Sequence, residues 1–252
     1  MRSSTGGIAG RCNSAPLLGI DGCHGGWVVA RSDSPRRRPT IELVASFRPV
    51  VDTVRSGALA CVDMPIGLSD APRACDAAAR RLLGSPRASS VFTPPCRAAL
   101  QATTATERRR INLRRTGKSL SAQALGIADR IRDVDRLVTP RLQLRLRECH
   151  PEVVFATLSG RGTGLRSRKK SSAGRRERRR LLPPPFRDAF EAFLESGPSS
   201  PAPSGVRAAP DDVLDALVCL AAAHRVAHGR AIVLPHGRVE RDARGLRMEI
   251  VA

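Results

Sequence analysis

The most constraining feature of the sequence is a long apolar stretch near its C-terminus, residues 213–226. Pro210 suits the first turn of a helix, and Asp211 and Asp212 favour a helix N-terminus. A helix this apolar is typical of one that packs on a sheet. Asp215 lies inside the apolar run, where a lone charge is costly, so it calls for a partner or a function.

Short apolar runs predict the sheet that this helix would cover. One run, residues 17–21, ends at Asp21, and another, residues 58–63, ends at Asp63. Acids at the carboxyl ends of buried strands face the crevice in which α/β sheets bind ligands. Further strands are predicted at residues 27–30 and 40–47, after a glycine-rich turn, and at residues 142–146, where leucines alternate with polar residues.

Helical spacing and chain breakers predict the remaining elements. Helices are expected at residues 50–55, 73–83, 98–115, 121–137 and 186–194 and from Pro151 onward, with a loop at 85–97 and a terminal hairpin, 238–240 with 246–250, around Gly245. The predicted fold is α/β, a mixed central sheet flanked by helices. The chain is expected to form a flexible tail at residues 1–16 and a single domain at residues 17–252. Within this domain we expect a helical insertion at about 71–140, after the fourth strand, a basic segment at 161–182 and a mobile Pro/Ser-rich linker at 196–210.

Four aspartates form a pattern typical of a cation site. Asp212 and Asp215 are three residues apart, so a helix puts both on one face. If that helix packs beside the first strand, they converge with Asp21 and Asp63, and four like charges need a compensating cation. Oxygen ligands suit hard ions, so we expect Mg²⁺ or Mn²⁺, which can activate water against a phosphodiester. Taken singly, each aspartate is better explained by a turn, a cap or the helix dipole; only the ordered set favours a site.

The net charge of +20, from 43 Lys and Arg against 23 Asp and Glu, points to a phosphate-rich partner such as nucleic acid. Only three of the basic residues are lysines, a balance that genome composition can also produce, and solvated arginines on ordinary surfaces explain much of the excess. Residues 161–182 hold ten basic residues and one acid, and Lys169, Lys170 and Arg175 are the predicted phosphate contacts there. The alternative for this segment is an exposed, solvated helix face.

The cysteines and the hydropathy of the chain indicate the cellular compartment in which the protein is expected. Seven cysteines, an odd number without metal-ligand spacing, indicate reduced thiols rather than disulfides or a zinc module. No stretch approaches about 18 consecutive apolar residues, the length of a membrane span, and residues 1–15 lack the apolar core of a signal peptide. We therefore expect a soluble, cytoplasmic protein without a membrane partner, whose oligomeric state the sequence leaves open.

Seven sequence blocks occur in a recognisable order. They are GIDGCHGGWVV (19–29), VDMPIGL (62–68), RACDAAARRLLG (73–84), SSVFTPPCR (89–97), SLSAQALGI (119–127), ECHPEVVFATLSG (148–160) and DDVLDALVCLAAAHR (211–225). From about residue 17 to the C-terminus they resemble the domain-of-unknown-function family 429, described as predicted RNase H-like nucleases. The first strand and last helix are more distantly similar to those of RuvC-type Holliday-junction resolvases.

This resemblance implies an RNase H-like sheet with a metal site. The implied ligands are Asp21 of the first strand, Asp63 of the fourth, and Asp212 and Asp215 of the last helix. Glu148 also ends a predicted strand and is a fifth candidate catalytic acid.

Three further residues of the matching blocks are candidates for supporting roles. His150 is expected beside the acids as a positioning residue, with a hydrogen-bonded structural histidine as the alternative. Glu152 is either a second supporting acid or a first-turn helix acid. Arg97 is a candidate contact to nucleic acid, with helix capping as its alternative.

Three functions are therefore open. The leading hypothesis is a metal-dependent nuclease that hydrolyses nucleic-acid phosphodiester bonds. The second is a nucleic-acid-binding or regulatory protein on the same fold that cleaves nothing. The third is an actin-like or sugar-kinase-like phosphotransferase, because GIDGCHGGW (19–27) also resembles a phosphate loop, although the chain is short for the two domains such enzymes need.

Overall fold

A five-stranded mixed sheet forms the centre of the computed structural model, which describes residues 15–252. Its strands are β1 (Leu17–Cys23), β2 (Gly26–Ser32), β3 (Thr40–Val44), β4 (Leu59–Val62) and β5 (Leu146–Glu148). They lie in the order β3-β2-β1-β4-β5, with β1, β2 and β3 antiparallel and β1, β4 and β5 parallel. The carboxyl ends of β1, β4 and β5 therefore meet at one edge of the sheet.

Helices cover both faces of this sheet. They are α1 (Arg48–Arg55), α2 (Ala74–Arg87), α3 (Arg97–Leu100), α4 (Ala105–Thr116), α5 (Ala122–Gly126), α6 (Ala128–Leu137), α7 (Pro151–Leu158), α8 (Ser172–Leu181), α9 (Pro184–Ser196) and α10 (Pro210–Ala227). Five of them, α2 to α6, lie between β4 and β5 in the chain.

Strand residues alternate between two hydrophobic cores, as the pleat of a sheet requires. Ile20 and Val29 belong to the core that α1 and α6 close. Val28 and Cys61 belong to the opposite core, which α2, α7, α9 and α10 close. Every residue of α10 from Val213 to His224 is buried, so the apolar stretch is the inner helix of that layer.

Gly19 lets α10 cross β1 at very short range. A Cβ at this position would overlap the backbone nitrogen of Leu220 and the carbonyl oxygen of Ala216, and it would lie 2.6 Å from Leu220 Cα. Any larger residue would push the helix off the strand. This crossing fixes how close the polar end of α10 comes to the end of β1.

Most predicted elements are confirmed, but the two long insertion helices are wrong as single helices. Residues 98–115 form α3 and α4, because Thr104 caps α4 by accepting a hydrogen bond from the Glu107 amide at 3.2 Å. Residues 121–137 form α5 and α6, which meet at Ile127, whose φ of −113° and ψ of 5° break the helix. The predicted helix stop at Gly84 is confirmed, because Gly84 (φ 58°, ψ −177°) and Ser85 (φ −70°, ψ 126°) leave the helical region and kink α2. The loop predicted from residue 85 is wrong in its first part, where short helical turns follow up to Ser90.

The strand predicted at residues 142–146 is wrong in its first half. Residues Leu142–Leu144 form a 3₁₀ turn, and β5 begins at Leu146. The Gln143 amide donates to the Thr139 carbonyl at 2.9 Å, and the buried Gln143 side chain donates to Arg247 O and accepts from Arg247 N, each at 2.7 Å. These bonds close a turn, and they leave Leu144 65% exposed.

The predicted C-terminal hairpin is present, but its ladder lies elsewhere. The paired strands are β6 (Val233–Leu234) and β7 (Ile250–Val251). The predicted arms meet around the bridge between Arg241 and Arg247, where the Met248 amide donates to the Glu240 carbonyl and the Asp242 amide to the Leu246 carbonyl, each at 2.9 Å. The Asp242 carboxylate accepts from the amides of Leu246 at 2.9 Å and Arg244 at 2.8 Å, so a side chain holds the turn.

The remaining predictions concern the Pro/Ser-rich linker, the N-terminal tail, the cysteines and membrane spans. Residues 197–209 contain no helix or strand, and Ser199 exchanges hydrogen bonds with Ile41 at the edge of the sheet. The tail predicted at residues 1–16 lies outside the described residues except for Ala15 and Pro16. The six cysteines between residues 15 and 252 are free and buried. Over the same residues, no helix combines the length and hydropathy needed to cross a membrane.

Candidate metal centre

Two aspartates meet because β1 and β4 are parallel neighbours. Ile20 pairs with Val62, and the Asp63 amide donates to the Ile20 carbonyl at 2.9 Å. Asp21 and Asp63 therefore leave the sheet side by side at its carboxyl edge. One Asp21 oxygen accepts from the Gly22 amide at 2.8 Å, which orients this carboxylate.

Asp215 joins this pair from the helix above. Each of Asp21, Asp63 and Asp215 offers a carboxylate oxygen, and these three oxygens lie within 4.8 Å of one another. Asp215 is 1% exposed and Asp21 8% exposed. We call these three residues the acid triad.

Burial and mutual repulsion raise the pKa values of the triad. Burial is the larger cause for Asp21, whose pKa lies well above its usual value, and Asp63 and Asp215 raise it further. Burial raises the pKa of Asp63 to about 6 and that of Asp215 to about 7, although the nearby Lys169 ammonium opposes both shifts. Three carboxylates that resist ionisation together are typical of a site that accommodates a cation.

Lys169 provides the positive charge inside the site, a role that the sequence did not indicate. Its Nζ donates to Oδ2 of Asp215 in an ion pair. Burial alone would lower the pKa of Lys169, but the carboxylates of Asp215, Asp21 and Asp63 outweigh it and raise that pKa above its usual value. The sequence predicts Lys169 only as a phosphate contact, because nothing in a basic segment shows which way a lysine side chain faces.

Asp212 stands at the rim of the site rather than among the three converging oxygens. Its Oδ2 accepts from the Ala209 amide at 2.9 Å, so it closes the first turn of α10. It is partly exposed, and its charge helps to raise the pKa of Asp21. Asp212 can therefore cap the helix with one carboxylate oxygen and still act on the cation site, as the sequence predicts.

Glu148 ends β5 as expected and lines the same small cavity as Asp63, but its carboxylate is bound by an arginine. Arg73 Nη2 donates to its two oxygens at 2.6 and 2.7 Å, and the Ile66 amide donates to Oε2 at 2.7 Å. Asp76 lies 3.5 Å from the same guanidinium. With its oxygens committed to these donors, Glu148 is not among the acids that converge with Asp215.

Glu152 and His150 lie at the start of α7, close to the triad. Arg178 of the basic segment is fully buried and binds both Glu152 oxygens, at 2.9 and 2.8 Å. His150 Nε2 lies 3.3 Å from the Ser90 carbonyl, while its buried Nδ1 has no hydrogen-bond partner among residues 15–252. Burial lowers the pKa of His150, which favours a neutral ring.

The other predicted nucleic-acid contacts occupy different surroundings. Lys170 is exposed, and Arg175 lies 4.0 Å from Asp211 at the N-terminus of α10, on the triad side of the molecule. Arg97, in contrast, binds Asp135 at 2.9 Å and also pairs with Asp242. Its guanidinium therefore ties the insertion to the C-terminal turn.

Arg130 of α6 is a neighbour of the site that sequence reasoning missed. It donates to the Cys23 carbonyl, and a Cβ at Gly22 would come within 2.8 Å of its Cδ. The charge of Arg130 lowers the pKa of Asp212, against the larger effect of burial. No local pattern distinguishes this arginine from the many others in the chain.

The glycine-rich turn that resembles a phosphate loop is covered. A Cβ on Gly25 would lie 2.5 Å from the Gly205 carbonyl oxygen and 3.4 Å from Val206 Cα. His24 pairs with Arg207 in an isolated bridge. The segment before α10 therefore packs on this turn.

The residues of the triad fit a divalent cation. Asp215 Oδ1 is buried and has no hydrogen-bond partner within the part of the chain that the structure describes. A buried anionic oxygen without a donor is costly, and a bound cation would satisfy it. The donor set is all oxygen, which suits Mg²⁺ or Mn²⁺ rather than softer ions.

Comparison with known sequences gives the family. No curated protein and no solved structure matches the chain significantly. The profile of one family, described as "Protein of unknown function (DUF429)", matches residues 19–240. The match begins within β1 and spans the triad, Lys169 and β2 to β5, so the chain belongs to the DUF429 family.

Proposed function

We propose that this protein is a nuclease of RNase H-like fold that depends on Mg²⁺ or Mn²⁺ held by Asp21, Asp63 and Asp215. The observation that carries the proposal is the convergence of three carboxylates, two buried and one half-buried, at the carboxyl edge of the sheet, where one buried oxygen has no hydrogen-bond partner among the described residues. The mixed sheet supports the fold assignment, since its first and fourth strands and its last helix supply the acids that the family resemblance implies.

The proposed chemistry divides between the cation and the chain. When bound, the cation supplies Lewis acidity that activates water and stabilises the oxygen leaving a phosphodiester. Asp21, Asp63 and Asp215 hold it, and Asp212 adds negative charge at the rim. Lys170 and Arg175 lie on the same side and contact the phosphates of the nucleic acid.

Paired substitutions test this proposal. We expect Asp21→Asn and Asp215→Asn each to reduce Mn²⁺-dependent cleavage of a panel of branched, hybrid and single-stranded substrates by at least about 100-fold. Asp211→Asn, one position from Asp212 on the same helix, is the matched control and should retain most of the activity. Undiminished cleavage by both triad variants would contradict the assignment.

Binding assays on the wild-type protein separate the other functions. Salt-sensitive nucleic-acid binding without turnover across the panel would replace the nuclease by the non-catalytic binding protein. Because residues 205–207 cover the Gly25 turn, no observation favours the phosphotransferase, and ATP binding by the protein would reverse that conclusion.

A further inference from the structure

Lys169 occupies the place where a cation is expected. Its ammonium binds Asp215 Oδ2, beside the oxygens of Asp21 and Asp63. Over residues 15–252, no other Lys or Arg forms an ion pair with any of these three aspartates. The acid triad therefore has an internal positive charge when no ion is bound.

We propose that the Lys169 ammonium and a divalent cation compete for the acid triad, so that cation binding expels Lys169 from the site. The inference rests on the cation site of the proposed function but does not depend on cleavage. It assigns Lys169 two positions: paired with Asp215 in the metal-free protein, and turned toward solvent in the loaded one, where it can contact a phosphate of the substrate.

The side chain can make this exchange while its backbone stays in place. On one side of Lys169, the carbonyls of Leu165 and Arg166 accept from Arg87 at 2.7 and 2.9 Å. On the other side, Ser171 caps α8 and accepts from the Gly174 amide at 3.0 Å. The Lys169 side chain is nevertheless 38% exposed, so its flexible four-carbon stem has a path to solvent.

Charge explains why the Lys169 ammonium and a divalent cation can each bind the acid triad but cannot bind it together. The Lys169 ammonium carries one positive charge against up to three negative ones, and even beside it Asp215 Oδ1 has no hydrogen-bond partner in the described part of the chain. A divalent ion carries twice the charge and accepts several oxygen ligands at once. An ammonium against the same oxygens would then face a dication at close range, so Lys169 must leave.

Lysine labelling tests the exchange directly, because the chain contains only Lys118, Lys169 and Lys170. The wild-type protein is acetylated briefly with an activated ester, with and without Mn²⁺, and labelling at each lysine is measured by mass spectrometry. We expect saturating Mn²⁺ to raise labelling of Lys169 by about fivefold or more relative to Lys118 and Lys170, the two internal controls. Without Mn²⁺, Asp215→Asn should also raise it.

Mn²⁺ affinity provides the reciprocal measurement. Removing the competitor in Lys169→Met should tighten Mn²⁺ binding by about fivefold or more, whereas Lys170→Met should leave it unchanged. If Mn²⁺ binds the wild-type protein but Lys169 remains protected, the exchange is refuted and the cation site stands. If Mn²⁺ fails to bind the wild-type protein, both the exchange and the cation site are refuted.

Discussion

At the scale of single residues, the acid triad places like charges where water is largely excluded. Burial raises the pKa values of Asp63 and Asp215 to about 6 and 7, and that of Asp21 is also raised. A carboxyl group whose pKa is higher in the folded than in the unfolded protein stabilises the fold below its unfolded pKa. That contribution is lost as the pH rises through the folded pKa.

We predict that Asp21→Asn stabilises the metal-free protein. At pH 7.5 the change removes one of the repelling charges and keeps the oxygen that accepts from Gly22, so the melting temperature should rise by about 2–4 °C. The gain should shrink as the pH falls from about 7 toward 4, because the wild-type acids then become protonated. Differential scanning calorimetry without divalent ions measures both effects.

The control is the exposed acid Asp188, where Asp188→Asn should leave the melting temperature unchanged at both ends of the pH range. Saturating Mn²⁺ should reverse the order, stabilising the wild-type protein but not Asp21→Asn. A variant that is less stable than the wild type without metal at pH 7.5 would show that the triad carries no electrostatic strain.

Single positions also show what residue patterns can predict. Asp21, Asp63 and Asp215 were recognisable because an acid ending or interrupting an apolar run is costly without a purpose. The same rule selected Glu148, but its partners Arg73 and Ile66 are 75 and 82 residues away in the chain. Whether an acid at a strand end meets a cation or an arginine depends on such distant partners.

At the scale of elements, the site depends on how α10 lies across β1. The two touch at Gly19, where there is no room for a side chain beside Leu220 and Ala216. Asp215 stands less than two turns before Leu220 on the same helix. A shift of α10 away from the strand would therefore separate Asp215 from Asp21.

We predict that Gly19→Ala destabilises the protein by about 3 kcal/mol, because the added methyl meets backbone atoms that cannot rotate away. The same displacement should weaken Mn²⁺ binding in the protein that remains folded. Chemical denaturation measures the first effect and Mn²⁺ titration the second.

Gly126→Ala in α5 is the matched control, since in the described residues only its own helix backbone and chain neighbours can come within 4 Å of the added methyl. Its stability should change by about 1 kcal/mol or less, in the stabilising direction, because alanine favours helix more than glycine does. Equal stability losses in the two variants would mean that the crossing at Gly19 is not special.

At the scale of the whole molecule, the basic residues behind the net charge of +20 lie in different surroundings, some buried and some exposed. Part of the basic segment points inward, with Lys169 in the triad and Arg178 on Glu152. Lys170 and Arg175 remain outside, on the side of the triad. Arg36 and Arg38 are exposed in the loop between β2 and β3, which the strand register puts at the opposite edge of the sheet.

We predict that nucleic acid binds at the triad edge, so that Lys170→Gln with Arg175→Gln weakens binding and lowers the slope of log affinity against log salt by about 2, or one unit per lost phosphate contact. Arg36→Gln with Arg38→Gln removes the same charge at the far edge and should leave the slope nearly unchanged. Fluorescence anisotropy across a salt series measures the affinity and the slope for both variants. Equal slopes for the two variants would mean that binding depends on net charge alone and not on the triad edge.

The sequence by itself determined the local elements and the acids at their ends, because periodicity, prolines and glycines act over a few residues. It therefore predicted β1, β2, β4, α7 and α10, and it placed four aspartates on facing elements, three of which form the acid triad. Only the tertiary structure decided which charges meet. Lys169 reaches Asp215 across 46 residues, and Arg178 reaches Glu152 across 26. Those pairings depend on how distant elements pack, so among many similar basic residues no local pattern marked the lysine that enters the acid triad.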